Sequence, residues 1–174
     1  LYARGFRAMI TNAEGRFASV VRDPAAADWI SRIRDACPDV WLAHAPFALP
    51  LSHADFPYRG LGTCDAVLPQ LYAHEFGCGS ADLWHGHYRD EWARCGHDST
   101  PRGTILDTYG REVSKSAQPF SLEIFSRMVE LVEGQCEAWP SLYSIEAMHP
   151  DAYHWLTSVH QLRTRPDAPS ELDE

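Results

Sequence analysis

The chain has no CxxC pair, no HExxH, no glycine-rich phosphate loop and no apolar run near the roughly 18 residues needed to span a bilayer. The first absence weakens a zinc-ribbon reading, and the second leaves a metalloprotease-like zinc helix without its motif. The third removes support for nucleotide binding on a doubly wound sheet, and the fourth argues against a membrane-embedded chain. Basic residues are also scarce, with 15 Lys and Arg against 24 Asp and Glu, a formal charge of −9. That balance argues against nucleic acid as the main partner, because phosphate binding needs a basic face. No secretory leader is evident, and no repeat of solenoid type.

What is there is enough for one domain with a core: 174 residues, 45% of them hydrophobic. The expected domain covers 1–163, followed by a disordered tail over 164–174, rich in proline and acid. The chain starts at Leu1, directly before a strand-like segment, which suggests a fragment, a processed product or a domain cut from something longer. The five cysteines leave at least one unpaired. Cys78 and Cys95 flank a helical stretch as a candidate pair, and free thiols fit equally well, so the compartment stays open.

Periodicity divides the chain into alternating strands and helices. Strands are expected over 6–12, 40–44, 66–68, 104–108 and 142–145. Helices are expected over 23–37, 81–94 and 120–138, and from Pro150 through Val159. Asp23 is the expected cap of the first helix, with Pro24 at its first position, and Ser121 the cap of the third. In the 81–94 helix the positions Leu83, Trp84, His87, Tyr88, Glu91 and Trp92 are spaced by threes and fours. A long loop over 45–62 carries three prolines, and loops of that length are often functional. Strand-helix alternation implies parallel strands with right-handed crossovers. The expected class is α/β: a partial (β/α)8 TIM-like barrel of about five βα units, since a whole barrel needs eight. The alternative is an open five-stranded doubly wound parallel sheet.

The organising stretch is Cys64-Asp65-Ala66-Val67-Leu68-Pro69-Gln70-Leu71-Tyr72-Ala73-His74-Glu75. It begins apolar, as a strand buried on both faces does, and turns polar within a few residues. In α/β folds the chemistry sits at such carboxyl ends of strands. Pro69 belongs at the strand's end or at a bulge.

Four segments carry a resemblance. They are Asn12-Ala13-Glu14, the run from Pro38 to His44, His53-Ala54-Asp55-Phe56-Pro57-Tyr58, and the run from Cys64 to Tyr72. Together they resemble the C-terminal part of uncharacterised glycoside-hydrolase-like TIM-barrel proteins of bacteria and phages, over roughly residues 6–156. In that group the first strand typically ends in Asp-Ala-Glu, and here Asn12 stands in place of the aspartate. The resemblance implies hydrolysis of a glycosidic bond in a polysaccharide or peptidoglycan, with carbohydrate as partner and no cofactor. Further chain segments or other subunits would complete the barrel.

Glycoside hydrolysis usually uses two carboxyl groups flanking the bond. Glu14 is the first candidate, at the end of the first strand. The second is sought among Glu75, Asp107 and Glu146, each near a strand end, and the expected pair is Glu14 as acid or nucleophile with Asp107 or Glu146; Asp107 shares a strand face with Tyr109. Gln70, Tyr72, Glu75, Tyr109 and His44 are candidate substrate-binding residues. Aromatic faces suit a pyranose, and Gln70 can both donate and accept hydrogen bonds. Trp41 belongs to the same set, although core packing explains it better. Two other readings stand beside this one. The barrel is a catalytically inactive structural or carbohydrate-binding module, or it is a metal-dependent hydrolase collecting His44, His53 and His74 near Glu14 and Asp107.

Overall fold

A computed structural model of the chain describes residues 8–12, 21–95, 103–134 and 141–162. Five strands alternate with five helices among these residues. They are β1 (Ala8–Thr11), α1 (Asp23–Ala36), β2 (Trp41–His44), α2 (Tyr58–Leu61), β3 (Ala66–Val67), α3 (Ala81–Cys95), β4 (Ile105–Asp107), α4 (Leu122–Glu133), β5 (Ser141–Tyr143) and α5 (Pro150–Leu162). Short 3₁₀ turns occupy Leu51–His53 and Ile145–Ala147. None of the described helices is long and apolar enough to cross a membrane.

Every strand pairing is parallel. Ala8 lies opposite Trp41, Ala43 opposite Ala66, and Ile105 opposite Ser141. The groups β1-β2-β3 and β4-β5 are joined through Gln70, which bridges in parallel to Phe47 on one side and Ile105 on the other. Around it, Ile105 N donates to Pro69 O at 2.9 Å and Leu71 N to Ile105 O at 2.7 Å. Pro69 sits where only its carbonyl is needed, so its missing N–H costs nothing. Strand order therefore runs with chain order and shows no reversal, whereas a doubly wound sheet is defined by one.

Alternate residues of a strand point to opposite faces, and the two faces are covered differently. Leu42, Val67 and Leu106 join one large core with buried residues of all five helices, among them Ile30, Tyr58, Trp92, Phe125, Val132 and Ala152. Their neighbours Ala43 and Ala66 form a second, small cluster with Leu68 and the partly buried Ile105, and no helix residue belongs to it. On the residues in register with that cluster, Ile10 is 49% exposed and Trp41 44% exposed. The helices thus cover one face of the sheet, while the other is buried at Ala43, Ala66 and Leu68 and half exposed at Ile10 and Trp41.

Several local expectations are corrected. Asp23 is the first residue of α1 and Arg22 takes the cap position without a side-chain bond. The Asp23 carboxylate instead accepts the Gly60 amide at 2.9 Å, tying α1 to α2. A side chain at Gly60 would run into the Asp23 backbone, so this close approach requires glycine. The 45–62 loop contains α2 and a 3₁₀ turn. The buried face of α3 is Ala81, His85, Tyr88, Glu91 and Trp92, and Leu83 is 78% exposed. Of the positions expected to share a face, Tyr88, Glu91 and Trp92 are buried and Trp84 packs partly against the core, while Leu83 and His87 are exposed. Glu146 lies in a 3₁₀ turn after β5. Ser121 caps α4 as expected, its Oγ accepting from Ile124 N at 3.3 Å. Cys37, Cys64, Cys78 and Cys95 are free thiols. Cys136, the end of the helix expected over 120–138, and the tail over 164–174 lie outside the described residues.

Candidate functional site

The strands end on a common rim, and the loops after β2, β3 and β4 enclose a cavity of about 500 Å³ there. Phe47, Leu49, Ser52 and His53 come from the first loop, Gln70, Tyr72, Glu75 and Phe76 from the second, Trp84 from α3 and Tyr109 from beyond β4. A cavity of this size, mostly apolar with a few polar groups, is the usual form of a small-ligand site.

Two residues of α3 set the first wall. Trp92 Nε1 donates to Ala48 O at 2.7 Å, and Glu91 Oε2 accepts from Leu51 N at 2.9 Å. Glu91 is buried, and the loop amide offsets the cost of burying its charge. Phe47 and His53, on either side of these anchored residues, stack with ring centroids 4.0 Å apart.

The centre of the site is Glu75, and its position is set by Asp107. Asp107 is 2% exposed; its Oδ2 accepts the amides of His74 and Glu75 at 2.8 and 2.9 Å. Its Oδ1 accepts from His74 Nδ1 at 3.2 Å, and His74 Nε2 accepts from Ser121 N at 3.1 Å, at the start of α4. One carboxylate thus fixes the chain beyond β3 against the end of β4 and the cap of α4. Glu75 Oε1 accepts from Ser114 Oγ at 2.9 Å and Ser116 Oγ at 2.6 Å. Glu75 Oε2 has no hydrogen-bond partner among the described residues. The loop then turns at Gly77, whose φ of +72° suits glycine, and Gln118 Nε2 holds the Gly77 carbonyl at 2.9 Å.

Tyr109 stands beside this carboxylate. Burial, then the charges of Glu75 and Asp107, push its phenol up to about 12, which keeps it a proton-bearing donor at neutral pH. Tyr143 packs edge-on to Tyr109 at 6.2 Å and stacks on Tyr72 at 5.7 Å, so three tyrosines cluster at the ends of β3, β4 and β5. Gln70 reaches across to β1, donating from Nε2 to Asn12 Oδ1 and to Ala45 O, each at 3.1 Å.

The candidate residues from the sequence fall into four groups. Gln70, Tyr72, Glu75 and Tyr109 line the cavity together. Asp107 and His44 are buried and are not among its lining residues. His44 is 1% exposed at the end of β2, stacked on Phe56, with Nδ1 donating to Thr11 O at 3.0 Å. Burial pushes its pKa down to about 4, partly opposed by the Thr11 bond. Glu146 is exposed in its turn, and Trp41, at the start of β2, lies at the opposite end of the sheet from the rim. Glu14 lies outside the described residues. Sequence reasoning missed Phe47, Phe76, Trp84, Ser114 and Ser116. Phe76 comes directly after the polar run at 70–75, which was the available signal, whereas nothing local marks the serines. His74 has both ring nitrogens engaged, and no group of three or more His, Cys, Asp or Glu suited to a metal ion occurs among the described residues.

No protein-family model matches the chain, and no curated protein matches it. Among solved structures it is similar to the glycoside hydrolase domain of PgaB (BpsB) from Bordetella bronchiseptica, with a TM-score of 0.55 at 18% identity. The match covers 82% of this chain and 44% of that one, so the chain spans less than half of its structural neighbour. At this identity the likeness is one of fold.

Proposed function

We propose that this chain is part of a glycoside-hydrolase-like, TIM-like barrel whose rim cavity binds a polysaccharide or peptidoglycan strand and cleaves a glycosidic bond in it. The observation that carries the reading is the Glu75 carboxyl, held by two serines beside Tyr109, in an aromatic cavity at the carboxyl ends of parallel strands. Sequential strand order, helices on one face and the partial match to a glycoside hydrolase domain support the barrel. Further chain segments or another subunit would supply the missing strands.

In this reading Glu75 gives its proton to the glycosidic oxygen as the bond to the anomeric carbon breaks. A second carboxylate takes a proton from the water that attacks that carbon. Glu14 is the proposed second group. The chain leaves β1 at Asn12, which Gln70 of the cavity holds, and Glu14 comes two residues later. Tyr109 donates to a sugar oxygen beside Glu75, and Asp107 acts by holding the Glu75 backbone.

One observation favours a second reading, a carbohydrate-binding module without hydrolysis: among the lining residues only Glu75 bears a carboxylate. A reducing-end assay on peptidoglycan and on linear β-linked polysaccharides separates the two, using the full chain, Glu75→Gln and Glu14→Gln. Release of new ends by the wild type, lost in both variants, supports hydrolysis. Binding without release supports the second reading. Absence of both binding and release overturns the two together.

A further inference from the structure

Glu75 lines the cavity with its carboxyl already engaged. Oε1 accepts from Ser114 Oγ at 2.9 Å and from Ser116 Oγ at 2.6 Å, and Oε2 is buried. A ligand that enters the cavity therefore meets an occupied carboxyl. Both serines belong to the loop beyond β4, which bonds to itself over 110–118. Val113 N and Ser114 N donate to Gly110 O, Ala117 N to Ser114 O, and Arg111 N to Gln118 O. The base of the loop is fixed, with Ala117 fully buried and Gln118 N donating to His74 O at 2.8 Å. The tip is exposed at Arg111, Glu112, Val113, Lys115 and Ser116. Among the described residues, the hydrogen bonds from 111–116 to the chain outside this loop are the two serine hydroxyls on Glu75. Those hydroxyl oxygens lie 2.8 Å apart. Neighbouring hydroxyls on a pyranose ring have the same spacing and the same donor chemistry.

We propose that the 111–116 tip is a latch: Ser114 and Ser116 occupy Glu75 as a sugar diol would, and a sugar opens the latch by putting two neighbouring hydroxyls in their place. The exchange replaces hydroxyl by hydroxyl, so the number of hydrogen bonds to the carboxylate is kept. An apolar ligand offers no such exchange. The inference rests on the carbohydrate reading above and narrows it to sugars with free neighbouring hydroxyls. It favours a glucan-like polysaccharide over peptidoglycan, whose rings carry an acetamido group at C2.

The test compares the full chain with its Ser114→Ala/Ser116→Ala variant, which keeps every backbone bond of the loop. Calorimetric titration with cellulose- and chitin-derived oligosaccharides reads binding. Trypsin cleavage after the exposed Lys115, followed by fragment mass, reads release of the tip. The variant has no latch to displace and is expected to bind the cellulose oligomer about tenfold more tightly than the wild type. The same sugar is expected to speed wild-type cleavage severalfold, to the rate the variant shows without sugar. Wild-type binding as tight as the variant's, or cleavage indifferent to sugar, would overturn the latch and spare the carbohydrate reading. Binding of the chitin oligomer alone would do the same. No binding of either sugar by either protein would overturn the carbohydrate reading, and the latch with it.

Discussion

Asp107 holds Glu75 by its backbone: the buried Oδ2 accepts the Glu75 amide at 2.9 Å and the His74 amide at 2.8 Å. The two acids near the ends of adjacent strands therefore do different work. One is sealed in and organises the chain, and the other lines the cavity. Replacing Asp107 by Ala strands three donors, each costing about 1–3 kcal/mol when buried without a partner, so the expected loss of stability is about 3 kcal/mol or more. Asp107→Asn keeps an acceptor but presents an amide to the rest, for a smaller loss of about 1–3 kcal/mol. Urea midpoints at constant m-value check both.

Glu75→Gln should leave the fold in place, because its amide oxygen still accepts from Ser114 and Ser116. Under the hydrolytic reading turnover falls by about 100-fold or more. Circular dichroism and the thermal midpoint establish that the variant is folded, and the reducing-end assay reads the loss. Retention of full turnover would remove Glu75 from the chemistry.

His44 makes stability depend on pH. Its pKa is about 4 in the folded chain, against 6.5 for the ordinary group, because burial disfavours the charged ring. Between those values the unfolded chain binds the extra proton, so stability rises with pH across the window. The contribution is fully present above about pH 6.5 and falls by about 3 kcal/mol as pH drops to 4. His44→Asn keeps a donor for Thr11 and cannot titrate. Denaturation at pH 7 and pH 4.5 should show a drop that is smaller in the variant.

Gly60→Ala forces the added carbon into the Asp23 backbone at the α1–α2 contact. Overpacking of this kind costs about 1–3 kcal/mol, and a chain of this size loses about 2–4 °C of thermal midpoint per kcal/mol. An unchanged midpoint would mean that the two helices are free to move apart.

Much of the fold was legible because it depends on local periodicity. Apolar runs such as that over 66–68, Pro24 at a helix start and Ser121 before an amphipathic stretch each act within one or two turns of chain. Leu83 and His87 were misplaced on the α3 stripe for the same reason. Local spacing shows that a helix has an apolar face, but not whether Leu83 meets a core or solvent. Its neighbours come from residues far away in sequence.

The site divides along the same line. The polar end of the run at 64–75 places Gln70, Tyr72 and Glu75 on the rim, since a parallel strand delivers its succeeding residues to that end. Nothing in the sequence tells Glu75 from Asp107, two acids near strand ends. Only long-range contacts bury the second beneath the amides of the first, and bring Ser114 and Ser116 across some forty residues to the Glu75 carboxylate. Alternation of strand and helix was thus determined by the sequence alone, through hydrophobic spacing and chain stereochemistry. Which acid is exposed to a ligand was decided by tertiary structure, because solvation and hydrogen-bond partners are properties of the assembled rim.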